Sequence, residues 1–261
     1  MNINDINDIA SELFAALRSQ TQIKPLTDCY PDININDAYQ ISRKFLSLRE
    51  DEGEVIVGKK IGVTSPVVQE MLGVDQPDFG FLTNVMQVQN KSSFAIKNFL
   101  IQPRAEAEIA FILKEDLHGP GITKEDVMSA TNKILPCFEI VDSRIDNWSI
   151  KIQDTVADNA SCGIFVLGEG ECSPNKFAMD ELEVEVYKNK KFLSSGQGSA
   201  VQGHPAQAVA WLANTLGGYD IPLLKGEVIL SGSLVPLEPA IAGDRFAMEL
   251  KGIGTCEINF I

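Results

Sequence analysis

The stretch that decides the fold is QPRAEAEIAF, residues 102–111, in which polar and apolar side chains alternate. In a β-strand, side chains two residues apart lie on the same face, roughly 6.5–7 Å from each other. The alternation therefore predicts a strand over residues 104–113, with Glu106 and Glu108 on one face and the intervening apolar side chains in the core. Two neighbouring carboxylates repel each other, so a partly buried pair needs a positive charge beside it. On an exposed face, the same two glutamates would be solvated.

A second stretch, LPCFEIVD at residues 135–142, places a third carboxylate in a nearly continuous apolar run. Such a run is typical of a strand that is buried on both faces. Glu139 lies in its middle, and a buried carboxylate is costly unless it is paired or bound to a metal. Hard divalent cations prefer oxygen ligands. We therefore predict that Glu106, Glu108 and Glu139 hold a divalent metal ion.

The rest of the chain predicts helices at the N-terminal end and mostly strands after it. Helical spacing of apolar residues predicts an amphipathic helix over residues 5–18 and a second helix from about Asn36, joined by an irregular connector over 23–34. The remaining predicted helices lie near 66–72, 123–130 and 205–216. The other predicted strands cover 55–57, 132–141, 163–167, 183–189, 227–230, 245–250 and 254–260.

Short strands with few regular β-α-β units predict an α+β fold. We expect a β-rich roll or mixed-sheet core that carries the catalytic residues over 55–261, with an N-terminal helical cap over 1–54. No linker separates these two parts clearly, so they are expected to form one structural unit.

The composition excludes several classes of function. The chain has 36 acidic and 22 basic residues, a formal net charge of −14, which argues against nucleic acid and anionic membranes as partners. Its five cysteines lack C-x-x-C spacing, which predicts reduced thiols. No membrane span or signal peptide is recognised, so a cytoplasmic protein is expected. With only two histidines, a His-rich metal site is poorly supported, and His204 is interpreted as a helix cap.

Two further candidates lie between the helical cap and the acidic strands. Lys60 belongs to GKKIGVTS, residues 58–65, in which two glycines allow the backbone to approach a ligand closely. The order of residues differs from a phosphate-binding loop, and a surface lysine pair is the alternative. Asp78 belongs to QPDFG, residues 76–80, where a turn aspartate after proline is the alternative.

Several long motifs together resemble the 2-hydroxypenta-2,4-dienoate hydratases, also called 2-oxopent-4-enoate hydratases. They occur in family order along essentially the whole chain, and the family is similar to the wider fumarylacetoacetate hydrolase superfamily. The motifs are GKKIGVTS (58–65), QPDFG (76–80), QPRAEAE (102–108), EIVDSR (139–144), QDTVADNAS (153–161) and SGSLVPLEP (231–239).

The resemblance implies a lyase of the meta-cleavage degradation of aromatic compounds. It would add water to 2-hydroxypenta-2,4-dienoate, giving 4-hydroxy-2-oxopentanoate, with Mg²⁺ or Mn²⁺ as cofactor, and it would be a homo-oligomer. On this chain Asp78 becomes the candidate acid/base, reaching an open site from a loop, and Lys60 the candidate that supports the substrate's oxyanion or carboxylate. Ser161 and Ser233 become weaker candidates for hydrogen bonds to the substrate.

Two other functions stay open at this point. One is the closely related 2-oxo-3-hexenedioate (4-oxalocrotonate) decarboxylase, although the resemblance to the hydratases is closer at Asp78 and in the loop 231–236. The other is a non-catalytic subunit that supports a partner enzyme. Because hydratase and decarboxylase relatives are thought to associate, a complex with the pathway decarboxylase is expected for either enzyme.

Overall fold

The computed structural model describes residues 1–65, 69–70, 73–74 and 76–261. The helix predicted near 66–72 falls mainly on positions outside this description. Within it, the helices are α1 (Ile3–Ser19), α2 (Leu26–Cys29), α3 (Ile35–Asp51), α4 (Lys124–Ala130), α5 (Ile152–Ala157) and α6 (Pro205–Gly217). In the described part of the chain, no helix is both long and apolar enough to cross a membrane.

The two predicted N-terminal helices are confirmed as α1 and α3. Asn2 caps α1 by accepting hydrogen bonds from two backbone amides, and Asn34 and Asp37 form a capping box that starts α3. The prediction of an irregular connector over 23–34 was wrong for residues 26–29, which form α2. A long-range contact stabilises this short helix, because Thr27 donates backbone and side-chain hydrogen bonds to Asp154.

The strands largely confirm the predicted pattern. They are β1 (Ile56–Gly62), β2 (Asp78–Thr83), β3 (Gln87–Val88), β4 (Ser93–Phe94), β5 (Arg104–Leu113), β6 (Thr131–Val141), β7 (Cys162–Leu167), β8 (Glu183–Lys188), β9 (Lys191–Gln197), β10 (Val228–Ser233), β11 (Glu238–Pro239), β12 (Arg245–Leu250) and β13 (Gly254–Phe260). The predicted α+β class, with helices around mixed sheets, is confirmed.

Strands β1 and β2 differ from the sequence prediction. The strand predicted at 55–57 runs on to Gly62, so Lys60 lies inside a strand and not in a loop. Asp78, predicted in a loop, is the first residue of β2 and is buried. The two strands pair antiparallel, with Gly62 opposite Asp78. Residues in β2 are buried on both faces, so the alternation that marks a half-buried strand is absent there.

The described strands form two sheets. The larger has the order β2-β1-β10-β5-β6-β7-β3, with β11 also paired to β5, and the smaller has the order β4-β13-β12-β8-β9. The predicted alternation in β5 is confirmed, since Ala107, Ile109 and Phe111 belong to the main core while Glu106 and Glu108 face the other way. Helices α1 and α3 contribute to the same core cluster as both sheets. The boundary at residue 54 stays a prediction.

Candidate metal centre and active site

Three glutamates from two neighbouring strands lie together inside the larger sheet. Glu106 and Glu108 project from β5, and Glu139 projects from β6 directly opposite Glu106. One carboxylate oxygen from each residue lies within 4.8 Å of the other two. Glu108 and Glu139 are fully buried, whereas Glu106 keeps some contact with solvent. The spacing in β5 and the apolar run in β6 therefore bring together the three residues proposed from the sequence.

The oxygen atoms of this cluster fit a hard divalent cation. Glu108 Oε1 and both Glu139 carboxylate oxygens are buried and have no hydrogen-bond partner among the described residues. Glu108 Oε2 accepts a hydrogen bond from the Gly232 backbone amide at 2.9 Å. Buried carboxylate oxygens without donors are costly, and a cation with oxygen ligands would satisfy them. The donor set is all carboxylate, which favours Mg²⁺ or Mn²⁺ over softer metals.

Burial raises the pKa of all three glutamates, and repulsion from neighbouring glutamates adds to the shift for Glu106 and Glu108. For Glu106, burial and the charge of Glu139 raise the pKa to about 8. Burial followed by Glu139 and Glu106 raises the pKa of Glu108, against the Gly232 amide. Burial raises the pKa of Glu139, and Lys60 opposes that shift. Without a cation, the cluster therefore keeps bound protons at pH values at which isolated glutamates are already ionised.

Lys60 places a positive charge beside the three glutamates. Its Nζ atom lies 3.4 Å from Glu139 Oε1, an ion-pair contact without hydrogen-bond geometry. Burial acts to lower the pKa of this ammonium group, but Glu139 and the other acidic neighbours outweigh it, so the pKa is raised. The acidic neighbours thus favour the charged form of Lys60 at the edge of the cluster.

Asp78 is buried next to Lys60. Its Oδ2 atom accepts a hydrogen bond from Thr155 Oγ1 at 3.4 Å, and its Oδ1 atom has no hydrogen-bond partner in the described part of the chain. Burial raises the pKa of the Asp78 carboxyl, while Lys60 opposes the shift. A Cβ atom on Gly62 would lie 2.3 Å from Asp78 Oδ1 and 3.2 Å from Lys60 Nζ. The glycine is therefore required for both charged groups to approach the same small space.

The two serine candidates have different surroundings. Ser161 is buried, and its Oγ atom lies 3.4 Å from Thr155 Oγ1, which itself contacts Asp78. The Ser233 hydroxyl instead donates a 2.7 Å hydrogen bond to the Val235 carbonyl oxygen in its own turn. The structure therefore links Ser161 to Asp78, whereas the contacts of Ser233 are local. The interpretation of His204 as a helix cap is confirmed, since its Nδ1 atom accepts from the Ala206 amide.

Sequence reasoning missed several residues around this site. Thr155 and Asn159 lie in the QDTVADNAS motif, from which only Ser161 was selected. Thr155 contacts Asp78, and the Asn159 side chain bonds the backbone of β2. Burial raises the pKa of the Cys162 thiol; nearby Glu139 adds to this shift and Lys60 opposes it. The motif as a whole was the available signal, since Thr155 lies in α5 and Asn159 in the turn that follows it, and both are buried.

A pocket of about 330 Å³ opens beside Pro77, the residue before Asp78. It is lined by Thr64, Gln69, Gln76, Pro77, Ser199, Ala200, Gln202, Gly203 and Trp211. Thr64 in the lining lies against Gly232, since a Cβ atom on Gly232 would lie 2.5 Å from the Thr64 side chain. The Gly232 amide binds Glu108. The lining therefore adjoins the acidic residues through Thr64 and through Pro77, which precedes Asp78. Among the described residues, its lining carries no charged side chain. Such a pocket suits a neutral part of a ligand whose charged end lies at the cluster.

Comparison with known families identifies the family to which the chain belongs. Residues 63–261 match the family described as fumarylacetoacetate (FAA) hydrolase, C-terminal. The chain belongs to the fumarylacetoacetate hydrolase family. The matched region includes all three clustered glutamates and Asp78, while Lys60 lies just before it.

Within the fumarylacetoacetate hydrolase family, the chain is similar to proteins named as dienoate hydratases. It is 59% identical to the 2-hydroxyhexa-2,4-dienoate hydratase of Comamonas testosteroni, over 95% of this chain and 94% of that protein. It is 54% identical to the 2-hydroxypent-2,4-dienoate hydratase of Pseudomonas putida, over 83% of this chain and 97% of that protein. These matches bear out the family resemblance found in the sequence motifs.

A solved structure shares nearly the entire fold. It is the 4-oxalocrotonate decarboxylase from Pseudomonas putida G7, complexed with magnesium and adipate. The TM-score is 0.97 at 31% identity, covering 100% of this chain and 99% of that one. The predicted roll-like core with helices is therefore the fold of this family.

Proposed function

We propose that this protein is a metal-dependent hydratase that adds water to 2-hydroxypenta-2,4-dienoate in the degradation of aromatic compounds by meta-cleavage. The observation that carries the proposal is the position of Asp78, a buried carboxyl group beside Lys60, which in turn contacts Glu139 of the glutamate cluster. Hydration of a carbon–carbon double bond requires a group that gives and takes protons. The identities of 59% and 54% to dienoate hydratases support the same reaction.

In this proposal Glu106, Glu108 and Glu139 hold Mg²⁺ or Mn²⁺. Their partnerless buried oxygens support the assignment. The bound cation would supply Lewis-acid stabilisation for negative charge on the substrate oxygens. The Gly232 amide keeps one oxygen of Glu108 oriented, so that the carboxylate does not have to be ordered when the ion binds.

The proton transfers are assigned to Asp78. The dienol loses its 2-hydroxyl proton and gains a proton at C5, which gives 2-oxopent-3-enoate. Water then adds its oxygen at C4 and a proton is delivered to C3, which gives 4-hydroxy-2-oxopentanoate. Because burial raises the pKa of Asp78, its carboxyl holds a proton at higher pH than an exposed aspartate does. It is therefore suited to donate to carbon and to recover a proton from water.

Lys60 has an electrostatic role. Negative charge develops on the substrate's 2-oxygen before C5 or C3 is protonated. The Lys60 ammonium group is buried and charged, and fixed charges of this kind stabilise a developing oxyanion strongly in a site of low polarity. Ser161 and Ser233 are proposed as hydrogen-bonding partners of the substrate, with Ser161 better placed.

The direct test is the decay of dienoate absorbance after freshly generated substrate is mixed with purified enzyme and Mg²⁺. The expected result is a fast decay above the spontaneous rate in buffer, 4-hydroxy-2-oxopentanoate as the product, and loss of the enzymatic part on adding a chelator. A decay rate equal to that of buffer alone, with Mg²⁺ or Mn²⁺ present, contradicts the proposal.

A second candidate function is decarboxylation of 2-oxo-3-hexenedioate, because the shared fold extends over the whole chain at a TM-score of 0.97. We also propose that the enzyme is a cytoplasmic homo-oligomer that associates with the pathway decarboxylase. The five free thiols support a reducing compartment. Light scattering of the purified protein, alone and mixed with the decarboxylase, tests both associations.

A further inference from the structure

The strand that carries Asp78 lies at an open edge of the larger sheet. In the described ladders, β2 pairs with β1, whereas β7 pairs with β6 and β3. Although they are not neighbours in the ladder order, β2 approaches the start of β7. A Cβ atom on Gly80 would lie 2.4 Å from the Asn159 carbonyl oxygen and 2.8 Å from Cys162 Sγ. The contact between β2 and the segment before β7 is therefore close enough to require glycine.

The side chain of Asn159 closes this gap. It accepts a hydrogen bond from the Phe81 amide at 2.8 Å and donates one to the Phe81 carbonyl oxygen at 3.0 Å. These two bonds are the pair that a residue of a neighbouring antiparallel strand would make. Phe81 lies in β2 with Asp78. One side chain thus takes the place of a missing strand at the edge that holds Asp78.

An unusual backbone turn directs Asn159 toward β2. Asn159, Ala160 and Ser161 all have left-handed backbone angles, with φ values of 54°, 49° and 52°. Three such residues in succession, none of them glycine, are uncommon and persist only where the surroundings hold them in place.

A buried arginine supplies that support. The Arg144 guanidinium donates hydrogen bonds to the carbonyl oxygens of Asp142, Cys162 and Asp158, and to the Asp158 carboxylate. Arg144 and Asp158 are both fully buried. The two ends of the left-handed turn are therefore tied to one planar group, and the turn has little freedom to move away from β2.

We propose that Asn159 is a positioning residue that holds β2 in the register at which the Asp78 carboxyl reaches the substrate. The proposal rests on the hydratase function and on the proton transfers assigned to Asp78. Thr155 supports the carboxyl directly, while Asn159 acts through the backbone of β2. Loss of Asn159 should therefore affect the proton transfers and leave the metal ligands on β5 and β6 in place.

The chain provides a matched control for this proposal. Asn214 in α6 makes the same pair of hydrogen bonds, accepting from the Ile122 amide and donating to the Ile122 carbonyl oxygen, each at 2.8 Å. It lies on a different element from the acidic cluster. Substituting Asn159 and Asn214 by alanine removes the same chemistry at two places, only one of which is tied to Asp78.

The experiment measures kcat, KM, Mn²⁺ affinity and amide exchange of residues 79–83 in both variants. For Asn159→Ala, kcat should fall roughly 10- to 100-fold, since a misplacement of about 1 Å can cost about 10²-fold. Mn²⁺ affinity should stay within about twofold, and amide exchange at Phe81 should become faster. For Asn214→Ala, kcat and exchange in β2 should match the wild type.

Coupling to Asp78 separates positioning from a general loss of stability. If Asn159 acts through Asp78, the double variant Asp78→Asn/Asn159→Ala should be no slower than Asp78→Asn alone. Fully multiplicative losses, or an unchanged kcat in Asn159→Ala, would overturn the proposal. If Asn159→Ala does not fold, Asn159→Asp keeps the acceptor for the Phe81 amide, removes the donor, and should show the same selective loss of kcat.

The result also distinguishes this proposal from the hydratase function. If the wild type does not hydrate the dienoate, the proposed function fails, and amide exchange in β2 still reports on Asn159. Exchange at Phe81 that is equal in Asn159→Ala and Asn214→Ala would reject the positioning role whatever the substrate is.

Discussion

Glu106 and Glu139 face each other directly across the β5–β6 ladder, inside the protein. Like charges in directly opposite positions of an antiparallel pair destabilise a sheet, and here Glu108 adds a third charge from the same face. Lys60 contacts Glu139 alone among the three. The arrangement thus lowers the stability of the metal-free protein, and the same three carboxylates form a site that is ready to bind a cation.

Removing one of the facing carboxylates should separate stability from function. In Glu106→Gln, we expect a higher melting temperature in the presence of a chelator at about pH 9, where Glu106 of the wild type is charged and repels Glu139. Mn²⁺ affinity should fall at least about 10-fold and turnover at least about 100-fold, because Lewis-acid stabilisation contributes several kcal/mol. Glu108→Gln should show the same loss of function. Calorimetry, Mn²⁺ titration and initial rates measure the three effects.

The smaller sheet offers a control for these variants. Glu185 and Glu249 also face each other across a ladder, between β8 and β12, and Lys251 lies 3.0 Å from both. Both side chains are partly exposed and belong to the smaller sheet, whereas the acidic cluster belongs to the larger one. Glu249→Gln should leave Mn²⁺ affinity and turnover unchanged. If Glu106→Gln binds Mn²⁺ as tightly as Glu249→Gln does, the metal assignment is wrong.

The stability of the metal-free protein should fall as the pH rises. The folded-state pKa of Glu106 is raised to about 8 from an ordinary value of 4.5, by burial and then by Glu139. A carboxyl with a raised pKa contributes stability that is fully present below the unfolded pKa and is lost as the pH rises through the folded pKa. The melting temperature with a chelator should therefore decline between about pH 5 and pH 9.

Saturating Mg²⁺ should reduce this decline, because the cation takes the place of the protons and its affinity rises with pH. The acidic surface also loses stability at high pH, so the comparison is with Glu106→Gln, whose decline should be smaller. A metal-free protein that becomes more stable toward pH 9 would contradict the raised pKa of the cluster.

The structure shows which parts of the site were readable from the sequence. The acidic face of β5 follows from strict alternation, and Glu139 stands out because a carboxylate interrupts an apolar run. Lys60 and Asp78 were recognised as residues but assigned to loops, since β1 and β2 contain glycines and are buried on both faces. Local sequence carries no periodic signal for such strands. Asn159 was missed because its role depends on a contact across 78 positions of the sequence.

Asp78 should be needed for turnover and dispensable for metal binding. Asp78→Asn keeps the size of the side chain and removes the carboxyl that transfers protons, so turnover should fall roughly 10²–10⁴-fold. Mn²⁺ affinity should change little, because Asp78 is outside the glutamate triad. The control is Asp244→Asn, another buried aspartate, which accepts hydrogen bonds from Asn189 and Ile241 beside the smaller sheet. Equal turnover rates in Asp78→Asn and Asp244→Asn would show that a group other than Asp78 transfers the protons.

The uncharged pocket should favour a substrate with a single carboxylate. No Lys or Arg is present in SGSLVPLEP, residues 231–239, and the pocket lining is neutral in the described part of the chain. A second carboxylate in this pocket would lack the paired donors that an arginine provides. We expect a higher kcat/KM for 2-hydroxypenta-2,4-dienoate than for a longer substrate with a terminal carboxylate.

Introducing a cation tests the cause of this preference. Gln202 lines the pocket and is half-buried. Gln202→Arg should raise kcat/KM for the dicarboxylate about tenfold, a gain of about 1.4 kcal/mol, while Gln202→Leu should not. If the wild-type enzyme prefers the dicarboxylate, the second carboxylate of that substrate binds outside this pocket.

Hydration and decarboxylation should be distinguishable by their need for Asp78. Both reactions pass through negative charge that a cation and Lys60 can stabilise, so the three glutamates and the lysine serve either one. Decarboxylation releases CO₂ and leaves an electron pair that needs one later proton. Hydration must deliver protons to two carbons and remove one from water, so it depends more on a positioned acid/base group. With Mg²⁺ or Mn²⁺, the purified enzyme should form 4-hydroxy-2-oxopentanoate from the dienoate and release little CO₂ from 2-oxo-3-hexenedioate. Asp78→Asn should abolish the first product without increasing the second. Efficient CO₂ release with negligible hydration would reverse the functional assignment and leave the metal site in place.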